Sequence, residues 1–144
     1  MKTVVLFGRI LIATDGSEKN RVALDEGIRI ARATGATVYA VYVIDMGTFT
    51  SMSAEVPLGD TYRVFKSEAE QAFDRIKAIA GEVKVETIIL DGRPATEIVR
   101  FAAKNKIDLI VIATQGKKGL ERLLLGSVAE EIIRSAPCKV LVVK

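Results

Sequence analysis

The sequence predicts a single doubly wound α/β domain, and three observations lead to that prediction. The chain has 144 residues, about the usual size of one domain. Five short apolar segments alternate along it with segments whose apolar residues recur at helical spacing. The apolar segments are continuous, as in strands that are buried on both faces. This alternation predicts a parallel sheet that is covered by helices on both sides.

The first two strands and the helix between them have clear boundaries. Residues 9–14 form an apolar run, and the Asp-Gly-Ser sequence at residues 15–17 indicates a turn. Apolar residues then recur at helical spacing as far as Gly35, so we predict a helix with Ser17 as its N-cap. Residues 37–44 are rich in β-branched and aromatic side chains and predict the second strand.

The middle of the chain predicts a long loop, an amphipathic helix and a strand. Residues 45–60 have no clear period and contain glycine, serine and proline, so we predict a loop that is mobile or lies over a ligand. The helix that follows ends near Gly81. Residues 84–90 predict the third strand and residues 91–92 a turn, and Pro94 occupies the expected first position of the next helix.

The last part of the chain completes the alternating pattern. Residues 108–113 predict the fourth strand, and the glycine-containing residues 114–127 follow it. A helix then ends at Pro137, and residues 139–143 predict the last strand. The order is therefore five strands with four helices between them, and right-handed crossovers limit it to a doubly wound sheet. Residues 1–144 are interpreted as one domain, because no linker or repeat interrupts them.

Composition excludes several kinds of catalytic site and partner. The sequence contains no histidine and one cysteine, so it cannot form a Ser-His-Asp triad, an HExxH zinc site or an internal disulfide. The net charge is +3, and no run of basic residues is longer than two, so we expect no nucleic-acid partner. The apolar start of the chain is too short for a membrane helix and has no signal-cleavage pattern. We therefore expect a cytoplasmic protein without a membrane partner.

Two glycine-containing segments are expected to meet at the carboxyl ends of the strands, where doubly wound sheets bind ligands. One is residues 15–17 after the first strand, and the other follows the fourth strand and ends at Gly126 and Ser127. Glycines let backbone N–H groups approach a ligand, and the N-terminus of the helix that starts there suits phosphate. Ser127 is expected to cap that helix and to offer its hydroxyl. These features predict an anion site.

Charge supports the anion site, although a structural explanation stays open. Lys117, Lys118 and Arg122 outnumber Glu121 in the second segment, which leaves a local positive excess. The segment is not a Walker A loop, and no GxGxxG motif follows the first strand. Alternatively, a glycine turn with a serine cap serves folding alone, and the lysines only solvate a surface.

Three segments of the chain resemble the universal stress protein family: residues 10–31, 38–45 and 112–143. The family's ATP-binding signature is a glycine, two residues, a second glycine, nine residues, and a third glycine followed by serine or threonine. Here the second glycine is Gly116, and Gly126 with Ser127 completes the signature. Ala113 replaces the first glycine and adds one methyl group where the backbone would run near the ribose and phosphates. The chain resembles the ATP-binding branch of the family.

The resemblance implies an adenine nucleotide alpha-hydrolase-like fold with strand order 3-2-1-4-5. It also implies binding of ATP, with AMP or ADP as alternatives, together with Mg2+ or Mn2+ at the phosphates. Asp15 would meet the adenine or ribose, Ala13 would line the base pocket, and Lys117 would pair with phosphate. The implied nucleotide-binding residues are Ala13, Thr14, Asp15, Val43, Ile112, Ala113, Thr114, Gly116, Lys117, Gly126, Ser127 and Val128.

The function that the resemblance implies is that of a stress-response homodimer rather than an enzyme. Nucleotide occupancy would set its conformation or its binding of an unknown protein partner. We expect no catalytic residue, because no general base is evident at the phosphate end. An exposed apolar sheet edge invites pairing. The expected dimer interface is therefore the last strand, with Lys139, Val140, Leu141, Val142 and Val143.

Other functions stay open from the sequence. Ala113 favours a nucleotide-free dimeric interaction module of the same fold. A receiver-type phosphoacceptor domain is disfavoured, because it needs paired acids after the first strand and a final helix after the last. A metabolic enzyme of the wider adenine-binding group would need a partner domain, for which the chain has no room. Asp15 also has a purely structural alternative, as the cap of the first helix.

Overall fold

The computed structural model describes residues 6–114 and 125–144. Within these residues, five strands form one parallel sheet in the order β3-β2-β1-β4-β5, as expected. The strands are β1 (Arg9–Thr14), β2 (Thr37–Asp45), β3 (Val85–Gly92), β4 (Leu109–Ala113) and β5 (Lys139–Val143). The α-helices are α1 (Arg21–Thr34), α2 (Met46–Ser53), α3 (Leu58–Ala80), α4 (Pro94–Lys104) and α5 (Ser127–Ser135). A short 3-10 helix, Glu18–Asn20, precedes α1.

The segment between β2 and α3 differs from the prediction. The long loop expected at residues 45–60 is wrong, because α2 occupies most of its first half and α3 begins at Leu58. The described part of the chain therefore has five α-helices rather than the four predicted. The turn predicted at residues 91–92 is also wrong, since β3 stays paired with β2 as far as Gly92.

Two local contacts explain why α2 forms. The Asp45 side chain caps the helix, its Oδ1 accepting a hydrogen bond from the Gly47 N–H at 3.0 Å. Phe49 is the buried residue of α2, and its ring lies 6.2 Å from that of Phe65 in α3, between centroids. One buried anchor in eight residues leaves no apolar period, so the sequence pattern did not reveal this helix.

Two apolar clusters fill the space on the two faces of the sheet. Side chains alternate between the faces along β1, so Ile10 and Ile12 pack towards α1 and α3, and Leu11 packs towards α4 and α5. All three have no exposed surface. This burial on both faces explains why the strands are continuous apolar runs in the sequence.

The helices complete these clusters with one apolar face each. α1 packs closely enough that a Cβ added at Gly27 would lie 2.5 Å from Ile12 Cδ1. On its outer face, Glu26 and Arg29 form an exposed ion pair at 3.6 Å. No helix in the described ranges is long and apolar enough to cross a membrane.

Candidate functional site

The carboxyl ends of the parallel strands bring the predicted site residues of β1, β2 and β4 to one edge of the sheet. β1 is the central strand, with β2 on one side and β4 on the other. The chain leaves β1 towards β2 and leaves β4 towards β5, so the switch point lies between β1 and β4. The expected residues found at this edge are Ala13, Thr14, Asp15, Val43, Ile112, Ala113 and Thr114.

The turn after β1 is shaped by the Asp15 carboxylate. Its Oδ1 accepts hydrogen bonds from the backbone N–H of Ser17 at 2.9 Å and from the Ser17 hydroxyl at 2.6 Å. Gly16 between them has a φ of +79°, a left-handed conformation that glycine adopts readily. The Asp15 N–H itself donates to Asn20 Oδ1 at 3.2 Å. We call residues 15–17 the β1 turn.

Ser17 occupies the N-cap position at the start of the helical segment, as predicted, but makes no side-chain cap bond. It precedes the 3-10 helix, and its side chain donates to Asp15 instead of accepting from the helix. The Ser17 hydroxyl is turned towards Asp15, where a carboxylate two residues upstream offers a charged acceptor for its proton. Asp15 Oδ1 thus accepts both of the Ser17 hydrogen bonds within the β1 turn.

A buried tyrosine lies beneath the β1 turn. Tyr42 of β2 is beside Thr14 in the sheet and is 1% exposed. Its hydroxyl donates to Glu68 Oε2 of α3 at 2.8 Å. Burial, and then the hydrogen bond to Glu68, raise the pKa of the Tyr42 hydroxyl far above its ordinary value. The hydroxyl therefore stays protonated and continues to donate at physiological pH.

The start of α5 lies at the same edge. Gly126 is its N-cap, and the Gly126 N–H donates to the Thr114 carbonyl oxygen at 2.8 Å, which ties α5 to the end of β4. Ser127 is the first helical residue and not the cap that we predicted. Glycine has no side chain to cap a helix, so the first-turn N–H groups have no acceptor from the N-cap residue. Both Ser127 and Val128 are exposed.

Two of the expected nucleotide-binding residues, Gly116 and Lys117, lie outside the described residues.

The Ala113 side chain, which departs from the family signature, is accommodated in the core. The Ala113 side chain is 8% exposed and is part of the cluster under α1, in phase with Leu109 and Val111. Its φ is negative, since Lys106 is the non-glycine residue of positive φ in the described chain. The added methyl group therefore points into the core and not out of the sheet edge.

Several side-chain and backbone oxygen atoms lie at this edge. The Asp15 carboxylate, the Thr14 and Ser127 hydroxyls and backbone carbonyl groups are donors of the kind that Mg2+ prefers. Among residues 6–114 and 125–144, no three His, Cys, Asp or Glu side chains converge as they do in a protein metal site.

Known proteins share both the sequence and the fold of this chain. The model of the universal stress protein family matches residues 6–144. Universal stress protein MJ0531 of Methanocaldococcus jannaschii is 48% identical over 141 residues, which are 96% of this chain and 83% of that protein. The structure of hypothetical protein MJ0577 is similar with a TM-score of 0.84 and 32% identity, covering 97% of both chains. A universal stress protein in complex with cAMP is similar with a TM-score of 0.69 and 28% identity, covering 95% of this chain and 96% of that one. The resemblance inferred from the sequence is confirmed, and the chain belongs to the universal stress protein family.

Proposed function

We propose that this protein binds an adenine nucleotide, ATP in the first place, at the sheet edge between β1 and β4. The observation that supports this most is the bond between Gly126 and Thr114, which holds the start of α5 against the end of β4. The first-turn N–H groups of α5 and the positive end of its helix dipole are thereby placed beside the switch point. The similar universal stress protein in complex with cAMP supports an adenine nucleotide as the ligand class.

The two ends of the proposed site suit the two ends of a nucleotide. Ala13 and Val43 are half-buried and offer an apolar surface for the base, with the Asp15 carboxylate as a polar group beside it. Residues 112–114 would follow the ribose and first phosphate. Gly126, Ser127 and Val128 would hold the outer phosphates through N–H groups and the Ser127 hydroxyl, and Gly116 and Lys117 would complete the phosphate end. AMP and ADP would use part of the same surface.

A divalent cation would accompany the triphosphate. Mg2+ and Mn2+ prefer oxygen ligands, and the phosphates supply these together with nearby hydroxyl or carboxylate groups. Ser127, at the phosphate end, is the protein oxygen that we assign to this neighbourhood. When bound, the cation neutralises phosphate charge.

The proposed role of the nucleotide is regulatory, and not that of a substrate. The phosphate end as proposed consists of backbone N–H groups, the Ser127 hydroxyl and Lys117, and we assign no general base to it. We therefore infer little intrinsic hydrolysis and no catalytic residue in this chain. Occupancy would instead change the conformation of the edge and the binding of a protein partner in the stress response, in the cytoplasm.

We further propose that the protein is a homodimer through β5. The residues of this edge strand after Lys139 are apolar and half-buried in the single chain: Val140, Leu141, Val142 and Val143. The edge strand on the other side of the sheet is β3. It exposes Glu86 and Thr87, and the Glu86 carboxylate forms an ion pair with the Lys84 ammonium at 3.6 Å. Charges on an edge strand discourage pairing and an apolar edge invites it, so β5 is the edge suited to a second copy.

The nucleotide proposal is tested by Gly126→Asp, which separates stability from binding. Aspartate is a good N-cap, and Gly126 has an extended conformation that any residue adopts, so the free energy of unfolding should not fall. A carboxylate at this position repels phosphate, so we expect ATP–Mg2+ affinity to fall at least about tenfold. Isothermal calorimetry measures the affinity. A separate phosphate-release assay tests for hydrolysis, and bound ATP should release phosphate no faster than free ATP in buffer.

Gly59→Asp is the matched control, because Gly59 is in the first turn of α3 with open space around it. This variant should bind ATP like the wild type. Equal affinity of Gly126→Asp and the wild type, or no binding by the wild type at millimolar ATP, would contradict the proposal.

A nucleotide-free interaction module is the second candidate, because Ala113 departs from the signature. If the methyl group blocked the nucleotide, Ala113→Gly would create or strongly raise binding. We expect the reverse, since the methyl group is in the core: ATP affinity stays at the wild-type value and thermal denaturation shows a loss of about 1 kcal/mol. Binding that appears only in the glycine variant would favour this second candidate.

The dimer is tested by charging each edge strand in turn. Val142→Lys places a charge on the apolar edge, so light scattering at micromolar concentration should change from the mass of two chains to that of one. Thr87→Lys on β3 is the control and should leave the mass unchanged. Circular dichroism checks that both variants fold. A monomeric wild type, or a dimeric Val142→Lys variant, would contradict the proposed interface.

A further inference from the structure

α3 supports the β1 turn from the face of the sheet opposite to α4 and α5. Arg75 Nη2 donates to the Gly16 carbonyl oxygen at 3.3 Å. A Cβ built on Gly16 would lie 3.7 Å from Tyr42 Cε2 and 3.8 Å from the Glu68 carbonyl oxygen. Since Tyr42 is in turn hydrogen-bonded to the Glu68 carboxylate, the turn rests on β2 and α3 together.

Among the described residues, one side of the β1 turn faces a cavity. A cavity of about 280 Å³ lies between α1 and α3, and its walls include Thr14, Gly16, Ser17 and Arg75. Close packing is what normally holds a backbone segment in one position. Here part of that packing is replaced by space, and the left-handed Gly16 adds freedom. The position of the turn therefore depends on a few directional contacts.

We propose that Tyr42, Glu68 and Arg75 are positioning residues for the nucleotide, which hold the β1 turn so that Asp15 meets its ligand. This inference rests on the proposed function. None of the three belongs to the surfaces assigned to base, ribose or phosphate; they act through the turn. Binding free energies are reciprocal, so a nucleotide that stabilises the turn also stabilises its contacts with α3.

Two variants remove the two supports separately. Arg75→Met removes the donor to Gly16 and keeps most of the apolar stem, and Glu68→Ala removes the acceptor of the Tyr42 hydroxyl. We expect each to weaken ATP–Mg2+ binding by about three- to tenfold in calorimetry, the scale of one lost hydrogen bond. Because both act through one turn, the double variant should lose less than the product of the two effects.

A control and a rescue separate positioning from general damage. Arg63→Met changes an arginine of the same helix, 81% exposed, whose ion pair at 3.4 Å is with Asp60 and not with the β1 turn. It should bind ATP like the wild type. Arg75→Lys keeps a donor and should recover part of the affinity that Arg75→Met loses.

A second readout needs no nucleotide. Amide hydrogen exchange at Gly16 and Ser17 should be faster in Arg75→Met and Glu68→Ala than in the wild type, with unchanged exchange at core residues such as Ile110. If amide exchange at Gly16 and Ser17 is as slow in both variants as in the wild type, the positioning role is overturned. Faster exchange with wild-type ATP affinity would overturn it as well. A wild type that binds no adenine nucleotide would overturn the proposed function and this inference with it, while the exchange data would still report whether α3 holds the turn.

Discussion

The central position of β1 in a parallel sheet is the constraint on which the rest of this structure depends. β1 pairs with β2 and β4, and its apolar residues are buried on both faces. Parallel strands all end at the same edge, so the β1 turn and the end of β4 become neighbours although about 100 residues separate them. The chain leaves β1 towards β2 and leaves β4 towards β5, so these two connections diverge. Doubly wound sheets bind ligands at such a point. The edge is thus a consequence of topology before any side chain is considered.

The two faces of the sheet contribute differently to this edge. On one face, α5 begins at Gly126 and is bonded to Thr114, so it supplies backbone donors and a helix dipole. On the other, α3 reaches the β1 turn through Arg75 and through the Tyr42–Glu68 pair. The proposed nucleotide site of this histidine-free protein thus combines backbone groups from one face of the sheet with side-chain contacts from the other.

Local patterns predicted the five strands, the doubly wound sheet and the helix start near Gly126, because buried strands and glycine boundaries leave strong signals, and the family resemblance supplied the strand order. α2 was missed because one anchor, Phe49, produces no period. The Tyr42–Glu68 and Arg75–Gly16 bonds span 26 and 59 residues, and no local pattern contains them. The direction of the Ala113 methyl group was within reach of the sequence, since alternation from Leu109 already assigns it to the α1 face.

The central claim is that one edge of the sheet, formed by the β1 turn, the end of β4 and the start of α5, receives the nucleotide. Amide chemical shifts of the isotope-labelled protein, recorded during titration with ATP–Mg2+, test it most directly. The account predicts the largest changes at residues 14–17, at Thr114 and at residues 126–128. It predicts unchanged amide shifts at the amino ends of the strands, which form the opposite edge of the sheet, around Gly35 and Val83. Changes concentrated at that opposite edge, or none at saturating nucleotide, would contradict the account.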